Sequence, residues 1–283
     1  MSAYKIYLGS VVYRFIESCY HDCVIRLVKQ CARDGIDIEV GQVRGDALVS
    51  RSRSLMASAF LRSDADVLLT IDSDIWFRPE DALGLCQKAL DYDMIGACYV
   101  TRSAQPQPAM LLPPGEQVLF MGATPPVEVP FISTGFMAVS RKPFEALRDT
   151  LPHCHQNWRG EGDQDRSFWP FYMPYTIPWP GGDVNMYLSE DWAFCQRAKD
   201  AGFKVWLDPS IRLGHNGDVL LTLEDLLRPA RPEPGPIGVR RQPDGRMEAG
   251  RLVPATPASP GIIVPNGHNI SDLPRAMRRR SGR

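Results

Sequence analysis

Short apolar segments alternate with amphipathic ones through residues 1–222, and this alternation limits the possible fold more than any other feature. Four short segments rich in Val, Ile, Leu and Tyr are typical of buried strands: 5–13, 36–43, 66–71 and 94–100. Between them apolar side chains recur at helical spacing, as at Cys19, Cys23, Leu27 and Cys31. Repeated strand–helix units of this length require right-handed crossovers between parallel strands. The sequence therefore predicts an α/β fold with a doubly wound, mostly parallel sheet.

The alternation weakens after residue 101. Residues 104–130 are rich in Pro and Gly and are expected to hold a short hairpin near 118–121. A strand is predicted at 131–140, a helix from Pro143, a second helix at 188–201 and a last strand at 203–207. Residues 151–187 are too long for a plain connection and concentrate aromatic side chains among Gly, Pro and Asp. They predict an irregular, aromatic-rich insertion.

Composition changes sharply near Arg228. From there to Arg283, the 56 residues contain ten prolines, 11 arginines, no lysine and four acidic residues, a net charge of +7. Runs such as 231–236 neither continue a helix nor pair as strands. We therefore predict a folded domain at 1–222 and a Pro/Arg-rich tail at 223–283 that is extended or disordered. A solvated tail without a partner and an electrostatic arm for an anionic partner both fit this composition.

The whole chain has the composition of an ordinary globular protein. Charged residues make up 23% and the net charge is −1, which excludes collagen-like, coiled-coil and wholly disordered classes. The chain opens without a basic-then-apolar signal segment, and its apolar runs are far shorter than the roughly 20 residues of a membrane helix. The seven cysteines are scattered without a CxxC pair, as in a reducing compartment. We expect a soluble, cytoplasmic protein.

Two carboxylates follow the third predicted strand, in the sequence Ile71-Asp72-Ser73-Asp74-Ile75. Open α/β sheets bind ligands beyond the carboxyl ends of their strands, which is where Asp72 and Asp74 are expected. Two acids one residue apart repel each other unless a cation or hydrogen-bond donors neutralise them. Oxygen ligands of this kind suit Mg²⁺ or Mn²⁺. The alternative is that Asp72 caps a turn and Asp74 is solvated.

Two later segments favour the metal interpretation. Glu190 and Asp191 follow Ser189 at the start of a predicted helix, although acids in a first turn also serve only to compensate the helix dipole. His215 lies between glycines after the last predicted strand, where a histidine is commonly a turn residue. The order of a strand with DxD, a helix with ED and a strand with HxG is much rarer than any one of the three.

Three segments together resemble the GT-A-fold glycosyltransferases, most closely the broad family 2 group: VLLTIDSDIWF, FISTGFMAVSRKPFEAL and LSEDWAFCQRAKDAGFKVWLDPSIRLGHNG. The resemblance covers residues 3–218 and not the tail. It implies a GT-A type, Rossmann-like sheet with the aromatic-rich insertion on the acceptor side. It also implies an enzyme that moves a hexosyl group from a nucleotide-diphosphate sugar to an acceptor hydroxyl, with Mn²⁺ or Mg²⁺ as cofactor.

The resemblance implies roles for individual acids. Asp72 and Asp74 match the DxD motif, with Asp74 as the direct metal ligand and Asp72 facing the ribose or a metal-bound water. His215 matches the histidine that closes the metal site. Asp191 matches the general base of inverting members, and Glu190 would position it or the acceptor.

Donor contacts are implied at a second set of residues. One loop close to donor and acceptor matches Ser133, Thr134 and Gly135, in which Gly135 would admit the sugar. Arg53 stands where similar sequences carry an arginine near the nucleotide, and Arg51 is an equally placed competitor. This chain departs from the family by having Ser54 where Asn is usual. Arg102, after the fourth predicted strand, is a further phosphate candidate.

The aromatic insertion has two interpretations. Phe168, Phe171 and Tyr172 are expected to form a small satellite core. A tryptophan that stacks on a sugar ring or base is the other expectation, and the candidates are Trp158, Trp169 and Trp179.

The acceptor and the reaction class stay open at this point. The arginine-rich tail suggests an anionic acceptor such as modified DNA or a lipid-linked glycan. A nucleotidyltransferase also joins a doubly wound sheet to acidic metal ligands, but its Gly-rich basic loop is missing at residues 9–14, which contain one glycine. The other alternative is a non-catalytic protein that binds a sugar or nucleic acid on the same fold.

Overall fold

A computed structural model of the chain describes residues 4–102, 107–120, 124–155, 167–179, 182–217, 237–253 and 262–265. The helices in these ranges are α1 (Ser18–Asp34), α2 (Val49–Arg62), α3 (Pro79–Tyr92), α4 (Arg141–Arg148) and α5 (Glu190–Asp200). The strands are β1 (Lys5–Val12), β2 (Asp37–Arg44), β3 (Val67–Ile71), β4 (Ile75–Trp76), β5 (Met94–Gly96), β6 (Met110–Leu111), β7 (Gln117–Phe120), β8 (Val127–Glu128), β9 (Phe131–Ile132), β10 (Phe136–Ser140), β11 (Cys154–His155), β12 (Ser167–Phe168), β13 (Tyr175–Pro178), β14 (Asn185–Leu188), β15 (Trp206–Leu207), β16 (Gly214–His215), β17 (Ile237–Arg241), β18 (Met247–Val253) and β19 (Ile262–Pro265). No helix in the described ranges combines the length and the apolar character that crossing a bilayer requires.

In the described part of the chain, the largest sheet has seven strands in the order β2-β1-β3-β10-β5-β15-β8. Strand β1 pairs in parallel with β2 and β3, and β5 pairs in parallel with β15. Strand β10 runs antiparallel between β3 and β5, and β8 is antiparallel at the edge. Five of these seven strands therefore run in one direction, which confirms the predicted mixed α/β fold with a mostly parallel sheet.

Helices cover both faces of this sheet because the side chains of a strand alternate between its faces. On β3, Val67, Leu69 and Ile71 join a buried cluster with apolar side chains of α1 and α3. Leu68 points the other way and joins a cluster with side chains of α2, α4 and α5. Burying an aliphatic side chain of this size contributes about 1.5–3 kcal/mol. The two clusters hold the strand ends in fixed positions, and the candidate site is built on those ends.

The segment predicted as one strand at 131–140 is divided into β9 and β10. Strand β9 pairs with β6, whereas β10 enters the central sheet. Between them, the backbone N–H of Ser133 donates to the carbonyl of Ala109 at 3.0 Å. The backbone N–H of Asp72 donates to the carbonyl of Gly135 at 2.9 Å. The interruption therefore places residues 133–135 beside the end of β3.

Part of the predicted tail belongs to a folded sheet. Strands β17 and β18 form an antiparallel hairpin, β19 adds to β18, and β17 pairs with β7. Val239 of β17 is buried in the same cluster as side chains of α2. This differs from the expectation that all of 223–283 is extended or disordered, and from the expected local hairpin near 118–121, because β7 finds its partner in the distant strand β17. The boundary at 222 and the arginines from 275 onward lie outside the described residues, so the domain division stays a prediction.

Candidate active site

The turn that follows β3 carries Asp72 and Asp74 at the predicted edge of the sheet. The backbone N–H of Ile75 donates to the carbonyl of Asp72 at 3.1 Å, and Ile75 then pairs with His215 where β4 runs antiparallel to β16. The backbone N–H of Asn216 donates to the carbonyl of Asp74 at 2.8 Å. The structure thus brings together Asp74 and His215, which are far apart in the sequence.

The carboxylate of Asp74 is incompletely neutralised. Its Oδ2 lies 3.0 Å from Nη1 of Arg102 and 3.6 Å from Nε2 of His215. Its Oδ1 is buried and has no hydrogen-bond partner among the described residues. Burial, followed by the charge of Asp72, raises the pKa of Asp74. Because a buried anionic oxygen without a partner is costly, this atom indicates a place for a cation or a donor.

The imidazole of His215 is oriented by its backbone contact. Its Nδ1 lies 2.7 Å from the carbonyl oxygen of Val100, and since a carbonyl only accepts, Nδ1 carries the hydrogen. The ring of Tyr99 packs edge-on against the imidazole at 5.0 Å. Nε2 is therefore the nitrogen that faces Asp74, and a histidine held in this way is suited to ligating a metal.

The expected metal set of Asp72, Asp74 and His215 is not assembled. Within the described ranges, no three His, Cys, Asp or Glu side chains lie close enough to hold a metal by themselves. The reason is that Asp72 turns to Arg53, whose Nη2 donates to Asp72 Oδ1 at 2.8 Å. Asp74 and His215 nevertheless supply oxygen and nitrogen ligands of the type that Mn²⁺ accepts. The residues present fit a divalent cation that shares its coordination with the phosphate oxygens of a bound donor.

Arg53 of α2 joins the DxD turn to the start of α5. Its side chain is 6% exposed, and its Nε lies 3.8 Å from Oε1 of Glu190 while its Nη2 holds Asp72. Burial opposes the charge of the guanidinium, but Asp72 and Glu190 together raise the pKa of Arg53 above its usual range. Its Nε is buried without a hydrogen-bond partner among the described residues. Arg53 is therefore a fixed buried cation between two acids.

Arg51 does not reach this acidic cluster. Its guanidinium makes two hydrogen bonds of 2.6 Å to the carboxylate of Asp46. Residues two apart on a helix point in nearly opposite directions, so α2 presents Arg51 and Arg53 to different surroundings. Of the two arginines that the sequence left as competitors, Arg53 is the one beside Asp72.

The two acids at the start of α5 have different surroundings. Asp191 Oδ2 accepts a hydrogen bond of 2.8 Å from the hydroxyl of Ser133, and its Oδ1 accepts from the hydroxyl of Ser189 and from the backbone N–H of Trp192. Glu190 instead faces Arg53, whose Nε lies 3.8 Å from its Oε1. Burial, followed by the charge of Asp191, raises the pKa of Glu190. Asp191 is thus anchored by hydrogen bonds to the loop and to the helix start, whereas Glu190 is a partly buried carboxylate paired with Arg53.

Two tyrosines reach the site that the sequence reasoning did not assign to it. Tyr99 follows β5 at the same edge of the sheet, and burial raises the pKa of its hydroxyl, which interacts with Asp72, Arg53 and Ser133. Burial also raises the pKa of Tyr172, whose hydroxyl is buried without a hydrogen-bond partner among the described residues. In the sequence Tyr99 lies inside the segment predicted as a strand at 94–100, so its place beyond the end of β5 is seen only in the structure. No local pattern in the sequence assigns Tyr172 to the site either.

The loop residues Thr134 and Gly135 lie beside the end of β3, where Gly135 is close to Asp72 and Tyr99. Thr134 is buried, and its hydroxyl has no partner among the described residues. A Cβ on Gly135 would lie 2.7 Å from Asp72 Oδ2 and would collide with the hydroxyl of Tyr99. Glycine is therefore required here for the close approach of Asp72 and Tyr99, a packing reason in addition to the expected room for a sugar.

We expect Gly135→Ala to lower the free energy of unfolding by about 1–3 kcal/mol, the usual cost of overpacking a buried site. Urea unfolding followed by circular dichroism measures this. Gly84→Ala is the matched control, because a Cβ there meets nothing within 4 Å on helix α3 and alanine stabilises helices. A neutral or stabilising Gly135→Ala would contradict the close approach.

A cavity of about 490 Å³ opens beside Arg53 and the turn that carries Asp72 and Asp74. Its lining includes Tyr13 at the end of β1, Asp46 and Val49 around the start of α2, and Arg53 and Asp74 from the acidic cluster. This volume lies within the range of small-molecule and cofactor sites. The cavity combines apolar walls with a charged end at the DxD turn.

The aromatic insertion is only partly described. Phe168, Phe171 and Tyr172 are buried as expected, but Phe171 and Tyr172 join the main cluster on the side of α2, α4 and α5 rather than a separate satellite core. Trp169 stacks on the ring of His153 at 4.5 Å. Trp179 is 47% exposed, and Trp158 lies outside the described residues.

No protein-family model matches the sequence, and no curated protein matches it either. Solved structures do match. The protein A197 from STIV is 14% identical, over 86% of this chain and 92% of its own, with a TM-score of 0.48. The catalytic domain of Drosophila beta1,4galactosyltransferase 7, in complex with xylobiose, is 16% identical over 76% of this chain and 72% of its own, with a TM-score of 0.39. S. aureus TarS 1-349 in complex with UDP-GlcNAc is 12% identical over 78% of this chain and 63% of its own, with a TM-score of 0.36. With identities and TM-scores this low, what this chain does has to be inferred from its own side chains.

Proposed function

We propose that this chain is a glycosyltransferase that moves a sugar from a nucleotide-diphosphate sugar to an acceptor hydroxyl with the help of a divalent cation. The observation that carries the proposal is the position of Arg53 between Asp72 and Glu190. It joins an acidic turn suited to a cation and a diphosphate to a second acid suited to removing a proton. The acidic turn and Arg53 line a cavity of nucleotide size, and Glu190 lies beside Arg53.

The donor is assigned to the side of the cavity that carries the DxD turn. Asp74 and His215 would hold Mn²⁺ or Mg²⁺ together with phosphate oxygens of the donor. A cation bound there supplies Lewis-acid stabilisation of the negative charge that develops on the leaving diphosphate. Asp72, fixed by Arg53, faces the ribose, and residues 133–135 border the position of the sugar.

The acceptor is assigned to the side of α5. The bond between the anomeric carbon and the phosphate oxygen breaks, and its electron pair leaves with the diphosphate. The acceptor oxygen forms the new bond to that carbon, and its proton passes to a carboxylate. We assign this proton to Glu190, which reverses the roles that the resemblance implies. Asp191 then positions the loop and the helix through Ser133 and Ser189. A base opposite the leaving group gives inversion at the anomeric carbon.

We expect Asp74→Ala to abolish metal-dependent donor binding. Calorimetry with UDP-, GDP-, TDP- and CMP-sugars, in Mn²⁺ and then in EDTA, measures this and identifies the nucleotide. Binding of one donor that disappears both with EDTA and in Asp74→Ala supports the proposal. Asp149→Ala is the control, because this acid is exposed and pairs with Arg148.

The same panel separates the alternatives. Binding of none of the sugars to the wild-type protein would contradict the proposal. Release of pyrophosphate from a nucleoside triphosphate, in place of sugar transfer, would identify a nucleotidyltransferase. Donor binding without turnover in any metal would identify a non-catalytic binding protein. The acceptor needs its own screen, in which anionic polymers and lipid-linked glycans test the contribution of the basic tail.

A further inference from the structure

Arg102 pairs with Oδ2 of Asp74, the same carboxylate oxygen that faces Nε2 of His215. Its Nη1 lies 3.0 Å from Asp74 Oδ2 and also donates to the carbonyl of Asn216 at 3.3 Å. The side chain is 51% exposed, whereas that of Asp74 is 18% exposed. Arg102 is therefore held at its tip by the acidic turn but is not enclosed by the protein.

The path of the Arg102 side chain depends on Gly217. A Cβ on Gly217 would lie 2.6 Å from Cδ of Arg102, so the glycine leaves the space through which the side chain passes. Gly217 follows Asn216, whose carbonyl accepts from Arg102. The strand end that carries His215 thus also holds the arginine over Asp74.

A divalent cation bound to Asp74 would repel the guanidinium of Arg102, because Nη1 of Arg102 lies 3.0 Å from the same carboxylate. A guanidinium binds phosphate oxygens with two parallel hydrogen bonds, and these are stronger than neutral ones. A diphosphate at the DxD turn therefore offers Arg102 a new partner at the moment when a cation needs Asp74. Arg53 has no such freedom, because it is buried and holds two acids.

We propose that Arg102 is an exchangeable counter-ion, which neutralises Asp74 while the site is empty of donor and moves to the phosphate oxygens when a cation and a diphosphate bind. This inference rests on the proposed function, because Arg102 would compete for Asp74 with the divalent cation that the proposed function requires. It makes binding of the free cation weak and binding of the cation with a diphosphate strong. The cation and the diphosphate then bind cooperatively, because each favours the binding of the other.

The test uses Mn²⁺ alone and then Mn²⁺ with inorganic pyrophosphate, and it needs neither the sugar nor the acceptor. The paramagnetic resonance signal of free Mn²⁺ reports its binding to the full chain. We expect Arg102→Ala to bind Mn²⁺ alone at least about fivefold more tightly, and to bind pyrophosphate in Mn²⁺ at least about fivefold more weakly, as expected for coupled ligands. We expect Gly217→Ala to tighten Mn²⁺ binding as well, because the new Cβ displaces Arg102.

The control is Arg78→Ala, which removes a similar half-exposed arginine from its 2.7 Å pair with Asp81 on α3. It should change neither affinity. Unchanged or weaker Mn²⁺ binding in Arg102→Ala would overturn the proposal. Tighter binding of pyrophosphate in Arg102→Ala would also overturn it, because Arg102 would then remain on Asp74. A wild-type protein that binds no sugar donor contradicts the glycosyltransferase proposal alone, since the exchange is judged on Mn²⁺ and pyrophosphate.

Discussion

Glu190→Gln is expected to slow glycosyl transfer by about 10²–10⁴-fold, the usual contribution of a positioned general base. Donor affinity should change little, because Glu190 contacts the donor side only through Arg53. Transfer to water, measured as release of the nucleoside diphosphate, gives a readout that needs no acceptor. A general base stops working when it is protonated, so the wild-type rate should decrease as the pH is lowered. Since burial raises the pKa of Glu190, this decrease should begin at a higher pH than for an ordinary glutamate, and Glu190→Gln should remove it.

Asp191→Asn is the matched comparison for this prediction. Asp191 accepts from two hydroxyls and one backbone N–H, so its amide variant loses part of that network. We expect a smaller loss of rate, with the acidic limb of the pH profile retained. An inactive, folded Asp191→Asn that still binds donor, together with an active Glu190→Gln, would return the role of base to Asp191.

Arg53→Ala is expected to lower the free energy of unfolding by about 3–5 kcal/mol, because it leaves two partly buried carboxylates without their cation. Urea unfolding measures the change, which should shrink in acid, where Glu190 is protonated and needs no counter-ion. Donor binding should be lost together with the fixed position of Asp72. Arg53→Lys keeps the charge but not the fork of donors, and should recover part of the stability.

Arg51→Ala is the control for Arg53. It lies on the same helix and makes an ion pair with Asp46, but 37% of its side chain is exposed. Its partner Asp46 is 7% exposed but also accepts from the backbone N–H of Leu48, so we expect Arg51→Ala to cost less than Arg53→Ala, which leaves two acids without their cation. A similar cost for the two variants would contradict the special position of Arg53.

Much of the fold could be predicted from local patterns. The apolar run that ends at Ile71 has the length and composition of a strand buried on both faces, and the structure confirms β3 there. The same run fixed the place of Asp72 and Asp74, because a residue that follows a parallel strand lies at the carboxyl edge of the sheet. Glu190 was likewise placed at the start of a helix by the residues around it.

Several contacts could not be predicted because they join segments that are distant in the sequence. The pairing of β4 with β16 brings His215 to Asp74, and no local periodicity specifies that partner. The hairpin of β17 and β18 was missed because prolines dominate its surroundings, whereas its pairing with β7 depends on the exposed edge of that strand. Edge pairing is decided by what remains unpaired after the sheet has formed.

The sequence by itself determined the element order, the two-sided core and the edge of the sheet at which acids gather, since helix and strand periods are properties of neighbouring residues. Only the tertiary structure decided how those acids are used. It turned Asp72 to Arg53, brought Arg102 and His215 to Oδ2 of Asp74, and gave Asp191 a hydrogen bond from Ser133. These choices depend on distances between elements, and distances are set when the packed core fixes where each strand and helix ends.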